Sequence, residues 1–252
     1  MRIFILIIAL LFVYLLAAGS RSLFFLSKAK KLIAQTKAVD YEIRRDTPAA
    51  APLLKVVVAG DSTAVGVGAG AYQNTYHYQF LNTLTAYRLI TVTTVAVSGA
   101  RAADVAQQLA AAPEADLIIM SIGGNDVTHF TADSDFENDL GLALQAAQAK
   151  AARVILVTPG DFMRLPAASL PLRWLWSRKG ETFSDISSRV ATSIGVIHAD
   201  VLERERGQTF SRQQLRAYYA ADQFHPSAVG YGQWAVILKE ASDESSVPPV
   251  TP

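Results

Sequence analysis

The sequence predicts an α/β fold: a parallel sheet of five buried strands with helices on both faces. Two observations predict it. Short apolar runs rich in β-branched residues recur along the chain, and a segment patterned for a helix follows each of them. A third observation sets the scale, because 252 residues of which 51% are hydrophobic can bury one large core and leave little for a second. The strands are read at Lys55–Ala59, Ile90–Val97, Asp116–Ile122, Val154–Thr158 and Gly195–Ala199. The first carries Val56-Val57-Val58 and ends on Gly60, and the second is dominated by Ile, Thr and Val. Covering helices are read at Tyr76–Tyr87, Ala102–Ala112, Ser134–Ala152, Glu181–Ser193 and Ser227–Glu240.

Ahead of these elements, Ile3–Ala18 is an unbroken apolar run of 16 residues. Gly19 and Ser20 interrupt it gently, and Leu23–Leu26 resume it beyond Arg21, so a spanning helix can use that segment if the arginine snorkels. Residues 1–26 are therefore read as a single membrane anchor. The alternative is an exported protein whose signal peptide is cleaved at the small residues Ala17-Ala18-Gly19. Residues 27–51, with Lys28, Lys30, Lys31 and Lys37, are read as a basic juxtamembrane helix and linker, and 52–240 as the globular domain. Residues 241–252, which include Pro248-Pro249, are read as a disordered tail.

Residues 1–40 hold six Lys/Arg and one Asp/Glu, which leaves 17 basic and 21 acidic residues in the remainder. The globular part is mildly acidic and has no basic stripe, so nucleic acid is not an expected partner. The absence of cysteine removes disulfides, thiolate zinc sites and cysteine nucleophiles. His77, His129 and His198 lack ligand spacing with one another, and neither a metal nor a cofactor is expected.

Four short strings fall at the ends of predicted strands or helices: Gly60-Asp61-Ser62, Ser98-Gly99, Gly123-Gly124-Asn125-Asp126 and Asp222-Gln223-Phe224-His225-Pro226. Together they supply the parts of an acyl-transfer site. A serine hydroxyl needs an imidazole to take its proton, and the imidazole needs a carboxylate to fix its tautomer; Ser62, His225 and Asp222 match those roles. The oxyanion needs preorganised donors, which the Ser62 and Gly99 N–H groups and the Asn125 amide can supply. Each string alone reads as a turn or a cap, and their joint occurrence carries the signal. Asp126 is read as bracing its own loop.

The four ordered blocks resemble those of the SGNH hydrolase (GDSL esterase/lipase) superfamily over about residues 53–240. The resemblance implies a three-layer α/β/α sandwich with a flavodoxin-like five-stranded parallel sheet. It also implies Ser62 as nucleophile, Gly99 and Asn125 as oxyanion donors, and His225 with Asp222 as base and orienter. Thr63 departs from the name-giving motif at its fourth position, which bears on subfamily and substrate rather than chemistry. The implied reaction is cleavage of carboxylic esters, with thioesters and lysophospholipids as further candidates, through an acyl-enzyme. The substrate would be a small-molecule or lipid acyl ester. The alternatives are a carbohydrate O-deacetylase of the same mechanism and a non-catalytic membrane-tethered scaffold. The charge after the apolar run favours a cytoplasmic domain, whereas the envelope role of many relatives favours export, so the side stays open.

Between the fourth strand and the next helix, the stretch around 161–178 is apolar, aromatic and basic. Phe162, Trp174 and Trp176 are its candidate substrate contacts, and the competing reading is a packed loop with both tryptophans in the core. A nucleotide-binding reading of Gly66–Ala71 fits poorly, because no acidic residue lies between Ser62 and Arg101 to bind a ribose. Those glycines are read as a flexible wall beside Ser62.

Overall fold

In the computed structural model, which describes residues 2–244, the sheet has six strands: β1 (Tyr41–Arg44), β2 (Leu53–Gly60), β3 (Leu89–Thr94), β4 (Ala115–Ser121), β5 (Ala151–Thr158) and β6 (Ile197–Asp200). Their spatial order is β1-β3-β2-β4-β5-β6. The pairs from β3 through β6 are parallel, and these are the five strands expected from the sequence. The sixth corrects the count. β1 runs antiparallel along β3, with Tyr41 opposite Val92 and Arg44 opposite Leu89. It lies in the stretch read as a linker, because four residues are too few to set a period. The open edge of β3 makes it a strand, with Tyr41 and Ile43 buried and Glu42 and Arg44 exposed.

The chain leaves β2 to lay β3 on one side and returns to lay β4 on the other. The loops after β2, β3 and β4 therefore meet at the carboxyl edge where the strand order reverses, which is where an open α/β sheet forms a crevice. The first half of the helices comprises α1 (Arg2–Gln35), α2 (Ser62–Val65), α3 (Tyr76–Asn82), α4 (Ala102–Ala110) and α5 (Gly124–Thr128). The second half comprises α6 (Asp133–Gln148), α7 (Leu172–Ile194), α8 (Val201–Arg206), α9 (Arg212–Tyr218) and α10 (Ala228–Glu244). Two helical layers cover the sheet, α4, α6 and α7 packing side by side and α3 packing on α10. Phe136 and Phe183 stack at 3.9 Å between α6 and α7. Tyr76 lies 5.9 Å from Tyr231 and 5.8 Å from Trp234 between α3 and α10. Removing each such ring from water contributes about 1.5–3 kcal/mol.

A further segment differs from the sequence expectation. Residues 172–178, read as part of an irregular insertion, form the first two turns of α7. At the N-terminus, α1 runs unbroken through Gly19-Ser20-Arg21 and past residue 26. From Phe4 to Gln35 it is long and apolar enough to cross a membrane. Its first half, from Phe4 to Leu16, is exposed and apolar, whereas Ala18, Ser22, Phe25, Ala29, Leu32 and Ile33 form a half-buried or buried stripe. That spacing of three and four residues is one helix face turned toward the domain. Tyr14 donates its hydroxyl to the Leu170 carbonyl at 2.7 Å, and Arg21 donates to the Pro166 carbonyl at 2.8 Å. At the other terminus α10 continues to Glu244. Residues 245–252 of the expected tail lie outside the described residues.

Candidate active site

β2 ends on Gly60, whose φ of +123° and position 1.9 Å from the Ser121 carbonyl, measured from where a Cβ would be, admit only glycine. This close passage lets Asp61 N donate to the Ser121 carbonyl at 3.0 Å. Asp61 then caps α2, its Oδ1 accepting from Thr63 N at 2.8 Å and from Thr63 Oγ1 at 2.7 Å. Thr63 Oγ1 also meets Ser121 Oγ at 2.7 Å. Thr63, the departure from the family motif, thus ties β4 to the turn that presents Ser62. Ser62 is the first residue of α2, buried, with its Oγ 2.8 Å from His225 Nε2.

His225 is held by a tight turn. Ala220 N donates to the His225 carbonyl at 2.8 Å, and Gln223 N to the Ala220 carbonyl at 2.9 Å. Asp222 serves the turn and the imidazole with different oxygens. Oδ1 accepts from Phe224 N and His225 N, both at 3.1 Å, and Oδ2 lies 2.5 Å from His225 Nδ1. Burial would raise the Asp222 pKa, but the hydrogen bond and charge of His225 and the two backbone N–H groups outweigh it and hold the pKa below the ordinary value. Asp222 is ionised at neutral pH.

Gly99, at φ +90°, and Asn125 line the same cavity as Ser62 and His225. One hydrogen of the Asn125 amide is committed, donating to the Ala100 carbonyl at 2.9 Å, which fixes the amide plane. Among the described residues neither Ser62 N nor Gly99 N donates to a protein acceptor. Two backbone N–H groups and the second amide hydrogen are left beside the Ser62 hydroxyl. Asp126 braces its loop as expected, accepting from Ala102 N at 3.1 Å and from Thr131 Oγ1 at 3.2 Å.

Two cavities touch Ser62. The smaller, about 60 Å³, is lined by Asp61, Asn125, Phe162, Tyr218 and His225 among others. The larger, about 410 Å³, reaches from Ser62, Gly99 and Asn125 to Trp176, Phe224 and the face of α1. Of the three candidate contacts in the insertion, Phe162 is buried and lines the smaller cavity, and Trp176 lines the larger one. Trp174 does neither and is 50% exposed, so neither expectation for it holds, substrate contact or core. Two residues along a helix turn the side chain by about 200°, which sends one tryptophan inward and the other out.

The sequence reading missed Phe224, whose ring lies 5.2 Å from that of His225. Its position inside the Asp-x-x-His string was the available signal. It also missed Glu205, which accepts from Asp161 N at 2.8 Å and from the Tyr218 hydroxyl and so pins the loop after β5. No local pattern marks Glu205.

Asp61, beside Ser62, has its pKa raised from 3.8 to about 6, because complete burial outweighs the hydrogen bonds from Thr63 and the charge of His225. A carboxyl whose folded pKa exceeds its unfolded one holds its proton more tightly when folded. It therefore favours folding in acid, and that contribution is lost as pH rises from 3.8 to about 6. Asp61→Asn keeps an acceptor for the Thr63 N–H and removes the titration. Relative to the wild type, its thermal stability should rise across this window by an amount on the order of 3 kcal/mol at most. Thermal melts from pH 4 to 8 measure the difference, and parallel curves for the two proteins would refute it.

The remaining histidines sit apart from Ser62 or lack a carboxylate partner there. His77 is buried against the Tyr41 hydroxyl at 2.7 Å, and burial lowers its pKa to about 3. His198 pairs with Thr158 Oγ1 at 3.1 Å on β6. His129 donates from Nδ1 to the Asn125 carbonyl, 2.8 Å away, on the rim of the larger cavity. The glycine-rich stretch after α2 is packed rather than loose, since Tyr231 on α10 donates to the Val67 carbonyl at 2.7 Å. Among the described residues no group of three or more His, Cys, Asp or Glu is placed to hold a metal ion.

A buried Ser-His-Asp relay at the carboxyl edge of a parallel α/β sheet defines a serine hydrolase architecture. The model of the GDSL-like lipase/acylhydrolase family matches residues 58–233, and the chain belongs to that family. Its fold is shared with an extracellular lipase from Streptomyces rimosus, at 21% identity and a TM-score of 0.60, covering 75% of this chain and 99% of that one. Phospholipase A1 from Streptomyces albidoflavus matches at 19% identity and a TM-score of 0.59, covering 75% and 99%. An acetylxylan esterase from Geobacillus stearothermophilus matches at 19% identity and a TM-score of 0.55, covering 75% and 93%. No curated protein matches significantly.

Proposed function

We propose that this GDSL-family hydrolase cleaves carboxylic esters with Ser62 as nucleophile, His225 as general base and acid, and Asp222 as the group that orients the imidazole and offsets the charge it gains. The relay of 2.8 Å from Ser62 Oγ to Nε2 and 2.5 Å from Nδ1 to Asp222 carries this reading. Oγ bonds to the carbonyl carbon as its proton passes to Nε2, and the carbonyl electrons move to oxygen. The Ser62 and Gly99 N–H groups and the Asn125 amide stabilise that oxyanion. As the electrons return, the carbon–oxygen bond to the alcohol breaks, and the alcohol leaves with the proton from Nε2, giving acyl-Ser62. Water then repeats the sequence, losing one proton to Nε2, which returns it to Ser62 Oγ as the carboxylic acid departs.

Asn125→Ala removes one of three oxyanion donors and leaves the relay intact. Its kcat on a short acyl ester should fall by roughly a hundredfold to a thousandfold. A fluorophosphonate probe should still label Ser62 in this variant. An unchanged kcat would remove Asn125 from the mechanism, and absence of labelling in the wild type would overturn the serine hydrolase reading itself.

The N-terminal helix is read as a retained membrane anchor. Tyr14, which precedes the small-residue cleavage motif, bonds to the 166–170 loop, and α1 passes through that motif without a break. A cleaved signal peptide would discard that contact.

A further inference from the structure

The larger cavity is built by two partners that the sequence keeps far apart. One wall comes from the domain, through Leu172 and Trp176 of α7 and Phe224 beside His225; the other comes from α1, through Leu23, Phe25, Leu26 and Ile33. Its polar groups, Ser62, Asn125, Thr128 and His129, gather beside the relay, apart from Ser22 on α1, and its lining holds no Asp, Glu, Lys or Arg. A pocket with polar groups at one end and hydrocarbon beyond them suits an acyl chain whose carbonyl reaches Ser62. It suits a sugar poorly, because each hydroxyl brought into such a wall would lose its hydrogen bonds to water.

On α1 the exposed apolar stretch from Phe4 to Leu16 lies one to two turns N-terminal of this wall, beyond Gly19-Ser20-Arg21. Alongside it, Leu170, Trp174 and Leu175 expose their side chains by 46%, 50% and 42%. Tyr14 and Arg21 fasten α1 to the same 166–170 loop. An aromatic and aliphatic rim beside a spanning helix is the composition of a membrane interface.

We propose that α1 is part of the substrate site as well as an anchor: its segment from Leu23 to Ile33 forms the acyl-binding wall for a long-chain ester drawn from the bilayer. This rests on the reading of Ser62 as nucleophile. It gives the half-buried stripe of α1 a chemical role, and it explains why the anchor joins the domain at the mouth of the active site.

The test uses the full chain reconstituted in phosphatidylcholine vesicles, with 4-methylumbelliferyl palmitate and acetate as substrates that share a leaving group. Leu26→Trp crowds the α1 side of the cavity, and the ratio of kcat/KM for palmitate to acetate should fall by roughly tenfold or more, the order set by a few lost methylene contacts. The milder Leu26→Ala should lower the ratio several-fold, and Leu10→Trp, an exposed position of α1 outside the lining, should leave the ratio at its wild-type value. At fixed palmitate ester, adding vesicle lipid should slow the reaction by surface dilution. A ratio unmoved in both Leu26 variants, or moved equally by Leu10→Trp, overturns the α1 wall. A rate indifferent to added lipid, or a mature protein from cells that begins near Ser20 or Arg21, overturns delivery from the bilayer. If wild type turns over acetate and labels at Ser62 while these tests fail, only the α1 proposal falls; if it does neither, the serine mechanism falls with it.

Discussion

Ser62→Ala should lower turnover of a short acyl ester by roughly five to six orders of magnitude while leaving the protein folded. The size follows from how the relay is wired. In the proposed mechanism every later proton transfer by His225 waits on attack by the Ser62 oxygen, 2.8 Å from Nε2, so deleting that oxygen idles His225 and Asp222 at once. What survives is the field of the oxyanion donors acting on a water attack. The fold should tolerate the change, because the hydroxyl's hydrogen bond is to His225, and α2 is held instead by the Asp61 cap and the Thr63 bonds to Asp61 and Ser121. Steady-state rates, with a thermal melt to show the fold persists, measure it. Wild-type turnover in a folded Ser62→Ala protein is incompatible with an acyl-Ser62 and would place the chemistry on other groups, whereas a wild type that neither turns over esters nor labels would favour the scaffold reading.

Asp222→Asn should cost roughly four orders of magnitude in kcat, more than Asn125→Ala and less than Ser62→Ala. The asparagine can keep an oxygen toward Phe224 N and His225 N, as Oδ1 does at 3.1 Å. Its NH2 then faces Nδ1 where Oδ2 stood at 2.5 Å. A donor there forces Nδ1 to accept and places the imidazole proton on Nε2, where it points at Ser62 and cannot receive the serine proton. The turn is kept and the tautomer is inverted. Slow fluorophosphonate labelling with an unchanged melting temperature would mark this cause, whereas a lowered melting temperature with proportionate loss of activity would assign Asp222 a capping role alone.

Much of this site was legible in the sequence because its parts are local. Each of the four strings closes a strand or opens a helix, and the Asp222-to-His225 spacing works within a single turn, so few residues define each part. The parallel strands were legible for a similar reason: runs such as Val56-Val57-Val58 are buried on both faces and stand out from their surroundings. β1 was not, since four alternating residues become a strand only when β3 offers an edge. Nor was the start of α7, because the apolar residues of 170–176 suit a loop or a helix until Pro171 and the packing of Trp176 decide between them.

The sequence by itself determined the chemistry class, the four strings that carry the candidate site and a hydrophobic N-terminal helix, because these depend on residue type at short spacing. Only the tertiary structure decided what that helix faces. The stripe at Ser22, Phe25, Ala29 and Ile33 mixes small, polar and apolar residues, and the exposed Leu23, Phe24 and Leu26 are as apolar as the residues turned inward, so composition does not say which face meets the domain. The same holds for Trp174 and Trp176, which are alike in sequence and differ only in the direction the helix turns them. Shape at Ser62 is set by surfaces more than a hundred residues apart, and only packing brings such surfaces together.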